Sequence, residues 1–339
     1  MTMITLFTKR DVARPVERTL PDAAGTVTIS IVTPTKNRPK DLAAALRSVL
    51  AQTLLPIEII VVDQSEDRES EAAVKREIEA VVSRDNCPNI HYVRDPAIAG
   101  ANAARNVGMK AARGEIIAII EDDIVLEPLA LQRLLEAYDS HPHMLGMSGT
   151  ITNYPPPSLA VRVFNRLFSL GPFHDDRQPL YWRWQRYPPT EVVPISRMGG
   201  LLTFRARAVT DLEFDTTPKV LRVRGEDRDF CFVVAGQTGG GRRVFGMAMG
   251  ARLTHNPSPV GRHRGRAEEL DVVSQHYFYS RHLRGSAVNT ALYAWWNIGI
   301  GLYAVMAASY GRHLEPIRSL VRGWRLIRDG YLRPGLRRP

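Results

Sequence analysis

Cysteine is scarce in this sequence of 339 residues, where Cys87 and Cys231 are the only two. Two isolated cysteines exclude a disulfide framework and a zinc site built on CxxC pairs, and they fit a reduced, cytoplasmic compartment. Acidic residues are also in deficit: 35 Asp and Glu stand against 45 Lys and Arg, for a net charge of +10. This excess indicates an anionic partner, such as nucleic acid, anionic lipid or a phosphorylated small molecule. The first residues lack the basic-then-apolar pattern of a secretory signal peptide.

The first 26 residues are polar and unpatterned, which predicts a loose N-terminal arm. From residue 27 onward, short β-rich apolar runs alternate with helical patterns. The predicted strands are 27–33, 57–63, 89–93 and 115–120, and the predicted helices are 41–52, 69–84, 100–112 and 129–140. This alternation predicts an α/β fold with a doubly wound, mostly parallel sheet, in which ligands bind at the carboxyl ends of the strands.

The second half of the chain changes character. Residues 153–190 contain seven prolines and predict a long irregular insert. Residues 285–311 carry no charge over 27 positions, which is long enough to cross a bilayer. Residues 312–339 hold eight arginines, and their apolar positions follow one helical face, which is typical of a helix at an anionic membrane surface. An interfacial or re-entrant helix pair is the preferred interpretation, and a single span is the alternative.

Three adjacent acids, Glu121, Asp122 and Asp123, follow the last strand of this series. They could hold a divalent cation that also touches a diphosphate, since Mg²⁺ and Mn²⁺ prefer oxygen ligands. A solvated acidic turn is the alternative. Asp63 also ends a strand, where it could bind a ribose or a base, or simply cap the following turn.

Several other residue types could carry chemistry. Arg105 lies in the small-residue stretch GANAARNVG and could face a phosphate, or lie on an ordinary helix surface. Glu226 and Asp227 in GEDRDF are adjacent carboxylates that could include a general base, or could simply favour a helix N-terminus. His255 in LTH could be a further metal ligand or a structural histidine.

Taken in order, the segments TPTKNR, VVDQS, GANAARNVGMKAARGEIIAIIEDD, GEDRDFCF and LTH closely resemble the family-2 glycosyltransferases, which are inverting enzymes with the GT-A fold. The resemblance runs from about residue 27 to about residue 257. It implies a Rossmann-like GT-A domain followed by a membrane-associating helical region. The expected parts are an arm at 1–26, a nucleotide-sugar-binding half at 27–125, an acceptor-binding half at 126–284, and apolar and Arg-rich membrane-associating helices at 285–339.

On the donor side, the resemblance assigns roles to positions at the ends of the predicted strands. Thr33, Pro34 and Asp63 correspond to contacts with the base and ribose of a nucleotide sugar. Arg105 corresponds to an arginine of the nucleotide pocket. A nucleoside diphosphate of the UDP or dTDP type is the expected carrier of the sugar.

The acid triplet matches the DxD element of that family. Asp123 is then the metal ligand, Asp122 lies near the ribose or sugar, and His255 is a second ligand of Mg²⁺ or Mn²⁺. The element begins here with Glu121 rather than with Asp, so a metal-ligating role for Glu121 is left open.

On the acceptor side, Asp227 corresponds to the catalytic base and Glu226 to a neighbour that contacts the acceptor. Trp182 and Trp184, in the proline-rich insert, could stack on sugar faces or serve only packing. The Q-x-x-R-W motif of processive members is absent after Asp227. This absence favours transfer of a single sugar.

The expected function is inverting, metal-dependent, non-processive transfer of a sugar to a hydroxyl of a glycan or lipid-linked acceptor, in cell-envelope or polysaccharide synthesis. A non-catalytic, membrane-peripheral nucleotide-sugar binder is one alternative. A sugar-phosphate nucleotidyltransferase is another, although TPTKNRP lacks the glycines of a phosphate loop. No nucleic-acid recognition motif is visible. The expected location is cytoplasmic and peripheral, at the inner face of the cell membrane.

Overall fold

The structure, a computed structural model, describes residues 4–7, 27–80, 87–217, 225–238, 243–258, 267–311 and 314–329. The strands in these ranges are β1 (Ile4–Phe7), β2 (Ile29–Thr35), β3 (Glu58–Asp63), β4 (Asn89–Arg94), β5 (Ile116–Ile120), β6 (Ile124–Leu126), β7 (Gly146–Ile151), β8 (Val192–Ile195), β9 (Leu201–Arg205) and β10 (Phe245–His255). The helices are α1 (Pro39–Leu50), α2 (Glu69–Glu79), α3 (Ala101–Ala111), α4 (Ala130–Ser140), α5 (Leu159–Phe168), α6 (Gln178–Trp182), α7 (Glu226–Gly236), α8 (Ala267–Phe278), α9 (Ala287–Gly311) and α10 (Glu315–Arg328).

One sheet contains all these strands, in the order β1-β4-β3-β2-β5-β9-β7-β10-β6, with β8 paired to β10. The first five are mutually parallel. β9 then joins antiparallel to both β5 and β7, and β10 is parallel to β7 but antiparallel to β6 and β8. The predicted α/β class with a mostly parallel sheet is therefore confirmed, and the antiparallel pairings belong to its second half.

The central strands are buried along their whole length, as their Ile and Val runs predict. Helix α3 lies very close to β2, because a Cβ placed on Gly108 would stand 2.2 Å from Cγ1 of Val32. This approach explains the small residues of GANAARNVG, which permit α3 to lie against the strand.

Strand β2 extends two residues beyond its predicted end and includes Pro34. Ile116 donates its N–H to the carbonyl of Thr28, so the even-numbered residues of β2 face β5. Pairing between β2 and β5 reaches only Val32 and Ile119. Pro34 is the next residue on that side and has no N–H to donate, so the ladder with β5 ends there.

The chain divides into two compact units. The first contains the whole sheet and consists of Met1–Tyr154, Arg177–Phe214 and Val233–Val260; the second consists of Pro155–Asp176, Asp215–Phe232 and Gly261–Pro339. These units cut across the parts expected from the sequence, because the second unit takes segments from three separate stretches. In the predicted loose arm, residues 4–7 form an edge strand parallel to β4, and the rest of the arm lies outside the described residues.

The second unit has its own apolar core. Its buried members are Phe173, Val272, Phe278, Leu283, Trp296 and Ile300. The start of the predicted irregular insert contributes α5 and Phe173 to this unit, so the insert is helical in part. Leu320 and Ile327, which were expected to face a membrane, pack against this core instead. The predicted membrane face of α10 is therefore narrower than its sequence pattern indicates.

Candidate active site

The carboxyl ends of β2, β3 and β5 are neighbours in the first unit. β2 lies between the other two strands, and its last residue, Thr35, pairs with Asp63 at the end of β3. Residues 121–123 follow directly from the end of β5. The crevice outside the carboxyl ends of such strands is where open α/β sheets bind ligands. The predicted donor-side residues of these strands therefore share one edge of the sheet.

The three consecutive acids do not share one environment. Asp122 accepts hydrogen bonds from the hydroxyl of Thr35 at 2.8 Å and from the guanidinium of Arg38 at 2.9 Å. Burial raises the pKa of Asp122 to about 6, against the opposing pull of Arg38 and Thr35. Asp122 therefore ties the segment after β5 to the end of β2. The contact with a ribose or sugar predicted for Asp122 stays a prediction, since both of its oxygens have protein donors here.

The two outer acids meet the predicted histidine. Ligand atoms of Glu121, Asp123 and His255 lie within 4.8 Å of one another. His255 ends β10, where it pairs with Ile124 at the start of β6, and this pairing brings it to the triplet. The backbone N–H of Ser258 donates to Oδ2 of Asp123 at 3.2 Å, which fixes that carboxylate.

The donor set of this cluster fits Mn²⁺ or Mg²⁺. Two carboxylates supply the oxygen ligands that suit either cation. Nε2 of His255 lies 3.3 Å from Oδ1 of Asp123, while Nδ1 is hydrogen-bonded to the hydroxyl of Tyr154 at 2.5 Å. A hydrogen on Nδ1 would leave the lone pair of Nε2 for a metal, which is the usual arrangement of a ligating histidine and its supporting partner. Glu121 lies in this cluster although its side chain is one methylene longer than that of the Asp at the first position of the DxD element.

Arg105 is the largest fully buried side chain of the first unit and is 1 % exposed. Its guanidinium donates to Glu121 at 2.5 Å and to Asn102 at 3.1 Å, and it lies over the ring of Phe214 at 5.3 Å. The alternative of an ordinary surface arginine is therefore wrong. Arg105 holds Glu121 at the edge of this cluster and brings a positive charge beside it. Its predicted role in the nucleotide pocket stays a prediction.

The other donor-side candidates are deeply placed. Thr33 and Pro34 lie inside β2 and are buried. Asp63 is fully buried, and it accepts from the N–H and hydroxyl of Ser65 and from the hydroxyl of Tyr92 at 2.5 Å. Burial, followed by this hydrogen bond, raises the pKa of Tyr92. Both oxygens of Asp63 thus stabilise the end of β3, and its contact with a base or ribose stays a prediction.

Glu226 and Asp227 occupy the first turn of α7, after Gly225, whose φ is 88°. Both side chains are half-buried. The carboxylates are therefore on a helix N-terminus, where the helix dipole stabilises negative charge. This placement agrees with the alternative that the two acids simply favour a helix N-terminus. It also suits a general base, because a base must be ionised before it accepts a proton.

Sequence reasoning missed the polar network behind these two acids. Asp229 is buried on α7 and lies 2.6 Å from Nε2 of His282 and 3.4 Å from the guanidinium of Arg281. Arg281 also pairs with Asp215, which accepts from the hydroxyl of Tyr277 at 2.5 Å. Arg281 and His282 belong to a π-helical turn at Tyr279–Leu283, directly after α8. Such turns are rare and frequent at functional sites. The network anchors the helix that carries Asp227.

The tryptophans of the insert are half-buried at and after α6. The guanidinium of Arg183 lies 4.1 Å from the ring centroid of Trp182, and that of Arg252 lies 4.6 Å from Trp184. Each ring therefore already has a cation on one face. Stacking on a sugar would use the other face, and that role stays a prediction.

A mixed α/β sheet with acids at its strand ends and a small-residue helix over β2 defines the GT-A class of fold. Two solved structures share it at low sequence identity. The mannosyltransferase PcManGT from Pyrobaculum calidifontis, in complex with GDP-Man and Mn²⁺, superposes with a TM-score of 0.55 at 16% identity, covering 94% of this chain and 90% of that one. S. aureus TarS 1–349, in complex with UDP-GlcNAc, superposes with a TM-score of 0.52 at 15% identity, covering 87% and 79%.

Residues 30–178 match the model of glycosyl transferase family 2. Among curated proteins, a glucosyl-dolichyl phosphate glucuronosyltransferase of Haloferax volcanii is 26% identical over 127 residues, which are 37% of this chain and 38% of the relative. The chain thus matches little more than a third of the length of that relative. The predicted resemblance to family 2 is thus confirmed over residues 30–178, and the predicted GT-A type of fold is confirmed by the sheet and the two superpositions.

Proposed function

We propose that the chain transfers a single sugar from a nucleoside-diphosphate sugar to a hydroxyl of a glycan or lipid-linked acceptor, with inversion at the anomeric carbon. The observation that carries this proposal is the cluster of Glu121, Asp123 and His255. Glu121 and Asp123 follow β5 inside the region that matches family 2, and His255 joins them from the end of β10. Relatives with this fold are named for complexes with GDP-Man and Mn²⁺ and with UDP-GlcNAc. A lipid-linked acceptor is supported by the Haloferax relative, whose name contains a dolichyl phosphate.

In this proposal, residues of the first unit bind the donor. Asp123, His255 and Glu121 would hold Mg²⁺ or Mn²⁺, which would supply charge stabilisation to the departing diphosphate. Arg105 fixes Glu121 and adds positive charge beside that diphosphate. Asp63, at the end of β3, shapes the crevice for the nucleoside through its hydrogen bonds to Ser65 and Tyr92.

Sugar transfer itself needs a base. Asp227 accepts the proton of the acceptor hydroxyl as that oxygen forms a bond to the anomeric carbon. The bond between the anomeric carbon and the diphosphate oxygen breaks on the opposite side, and the nucleoside diphosphate leaves with the electron pair. One displacement inverts the configuration. Glu226, the residue before this base, would orient the acceptor.

A thermal-shift panel tests the donor half of the proposal. The full chain is heated with UDP, dTDP and GDP, each with Mn²⁺, with Mg²⁺ or with EDTA. We expect one nucleotide to raise the melting temperature only when a divalent cation is present. A nucleotide-dependent shift that EDTA leaves intact would contradict the metal assignment. The donor class follows from which base gives the shift.

Product analysis separates the proposal from its alternatives. Incubation with the matching nucleotide sugar should release nucleoside diphosphate and label an acceptor in a membrane-lipid extract. Formation of a nucleotide sugar from a sugar phosphate and a nucleoside triphosphate would indicate a nucleotidyltransferase instead. Binding without turnover of donor would indicate a non-catalytic binder. Such an enzyme would act in the cytoplasm as a peripheral protein, bound to the inner face of the membrane that holds its acceptor.

A further inference from the structure

Helix α5 exposes a row of apolar side chains in the second unit. Leu159, Val163 and Leu167 recur every fourth residue and are 68%, 47% and 51% exposed. The opposite face of α5 is fastened to α9: the rings of Phe168 and Trp295 lie 5.1 Å apart, and the indole N–H of Trp295 donates to the carbonyl of Leu167 at 2.7 Å. The row is therefore held outward by a packed rear face.

Helix α9 is divided in the same way. Trp296, Ile300, Ala304 and Ala308 are buried and follow one another at four-residue spacing. The exposed large apolar residues of this helix are Val288, Trp295, Ile298, Leu302, Val305, Met306 and Tyr310. Trp295 also donates to the backbone carbonyl of Leu167, so the two exposed rows belong to helices that are packed together. Large exposed apolar surface on a soluble protein commonly marks an interaction site, so these two rows indicate an interaction surface.

Charge identifies the partner. Helices α5, α9 and α10 together contain six arginines and a single acid, Glu315, which pairs with Arg322. Arg162 and Arg166 flank the exposed row of α5 and are themselves exposed. An anionic bilayer offers both an apolar layer and negative headgroups. A second copy of this chain would set arginine against arginine, which like-charge repulsion disfavours.

The buried face of α9 argues against a membrane span. Trp296 and Ile300 lie in the core of the second unit with Val272 and Phe278. The hydroxyl of Tyr293 also lies 2.9 Å from Nδ1 of His276 on α8. α9 is long and apolar enough to cross a membrane, yet 28% of its most apolar window is buried inside the protein. A spanning helix would have to leave these partners, whereas a helix lying on the surface keeps them.

We propose that α5, α9 and α10 dock side-on to an anionic lipid bilayer, and that the exposed row of α5 enters the boundary between headgroups and acyl chains. The first part of the insert after β7, which forms α5, is then part of the membrane anchor. This inference goes beyond sugar transfer, since docking requires no donor and no metal.

Vesicle sedimentation of the full chain tests the proposal. Vesicles contain phosphatidylcholine alone or with phosphatidylglycerol. Leu159→Asp/Val163→Asp should lower the partition coefficient on anionic vesicles by about tenfold or more for each side chain withdrawn from the acyl boundary. Leu129→Asp is the matched control, because Leu129 is 43% exposed but lies in the first unit. It should bind as the unchanged protein does.

Charge variants give a second, independent arm. Arg162→Gln and Arg166→Gln should each weaken binding to anionic vesicles about fivefold, with no change on neutral vesicles. Both substitutions are at exposed positions, and an unchanged melting temperature verifies the fold of every variant. Donor-induced thermal shifts should also be unchanged, so a failure of docking is distinguishable from a failure of the proposed sugar transfer.

Four results would overturn docking. The first is absence of binding to anionic vesicles, and the second is equal loss in Leu129→Asp. The third is resistance of membrane-bound protein to extraction at high pH, which would indicate a span. The fourth is a lipid-independent dimer that Leu159→Asp/Val163→Asp dissociates, which would indicate a second copy as the occupant.

Discussion

Asp122 and Asp123 are adjacent, but the stability of the protein should respond differently when each is replaced by asparagine. In Asp122→Asn, the amide retains one oxygen for the hydroxyl of Thr35 or for the guanidinium of Arg38, but its NH₂ faces the other donor. The hydroxyl can rotate and accept, whereas the guanidinium cannot. The amide oxygen should therefore turn to Arg38 and the NH₂ to Thr35, so the variant keeps both hydrogen bonds and loses only the negative charge.

Burial decides the net effect of removing this charge. Burial raises the pKa of Asp122 to about 6, although Arg38 and Thr35 favour the carboxylate, so the negative charge is itself disfavoured in the folded protein. The weaker bond from Arg38 to a neutral oxygen and the relief of this burial cost oppose each other. We expect Asp122→Asn to change the free energy of unfolding by less than about 1 kcal/mol. Asp123→Asn should instead lose the cation-dependent gain in stability, which for the unchanged protein is about 2.7 kcal/mol at 100 times the dissociation constant.

Differential scanning fluorimetry of both variants, with EDTA or with Mn²⁺ and the best nucleotide, measures the two effects together. Asp122→Asn should melt close to the unchanged protein in EDTA and keep its Mn²⁺-dependent shift. Asp123→Asn should show little or no such shift. The reasoning would be refuted if Asp122→Asn abolished the shift while Asp123→Asn retained it, because the two carboxylates would then have exchanged roles.

Three further outcomes are expected. Asp227→Asn should lower kcat by about 10²–10⁴-fold with unchanged donor affinity, and a parallel loss of donor binding in calorimetry would contradict its role as base. Hydrogen bonds from Ser30 and the backbone, with His91, outweigh burial and lower the pKa of Glu58. The stabilisation from Glu58 is therefore present above its unfolded pKa of about 4.3 and is lost as pH falls through its folded pKa. Glu58→Gln should be less stable than the unchanged protein in urea at pH 7, and the gap should close in acid; a constant gap would contradict this. Gly299→Ala should lower the urea midpoint, because a Cβ there lies 2.3 Å from the ring of Phe168. Gly301→Ala meets nothing within 4 Å and should raise it by helix propensity, so an equal response of the two glycines would show that Phe168 yields freely.

Local patterns predicted the donor half of the fold well. The Ile and Val runs located β3 and β5 to within a residue at each end, because strands buried on both faces have few alternatives. Residues 121–123 and His255 were chosen from the sequence and came together, since the ends of β5 and β10 meet through the short strand β6. What the sequence could not indicate was that Asp122 would face Arg38 while its neighbours face His255.

Prediction was weakest where partners are distant in sequence. Prolines predicted an irregular insert, yet Ser158 begins α5 by accepting from the N–H of Val161 at 3.4 Å. The apolar face of α10 was assigned wholly to a membrane, although Leu320 belongs to the core of the second unit. Asp229 gave no local signal, because Arg281 and His282 lie more than fifty residues later. Only tertiary packing decides whether such a segment is helical, which apolar residues are buried and which charged residues pair.

Pro34 gives the sheet a built-in point of separation. Every other residue of β2 on that side could offer an N–H to β5, and a hydrogen-bond donor at this position would let the two strands continue to pair past Ile119. Strand β5 would then continue beyond Ile119 beside β2, and residues 121–123 would lie further from the end of β3. An imino acid at one position thus sets the point along the sheet at which β2 and β5 part, next to the acids at residues 121–123.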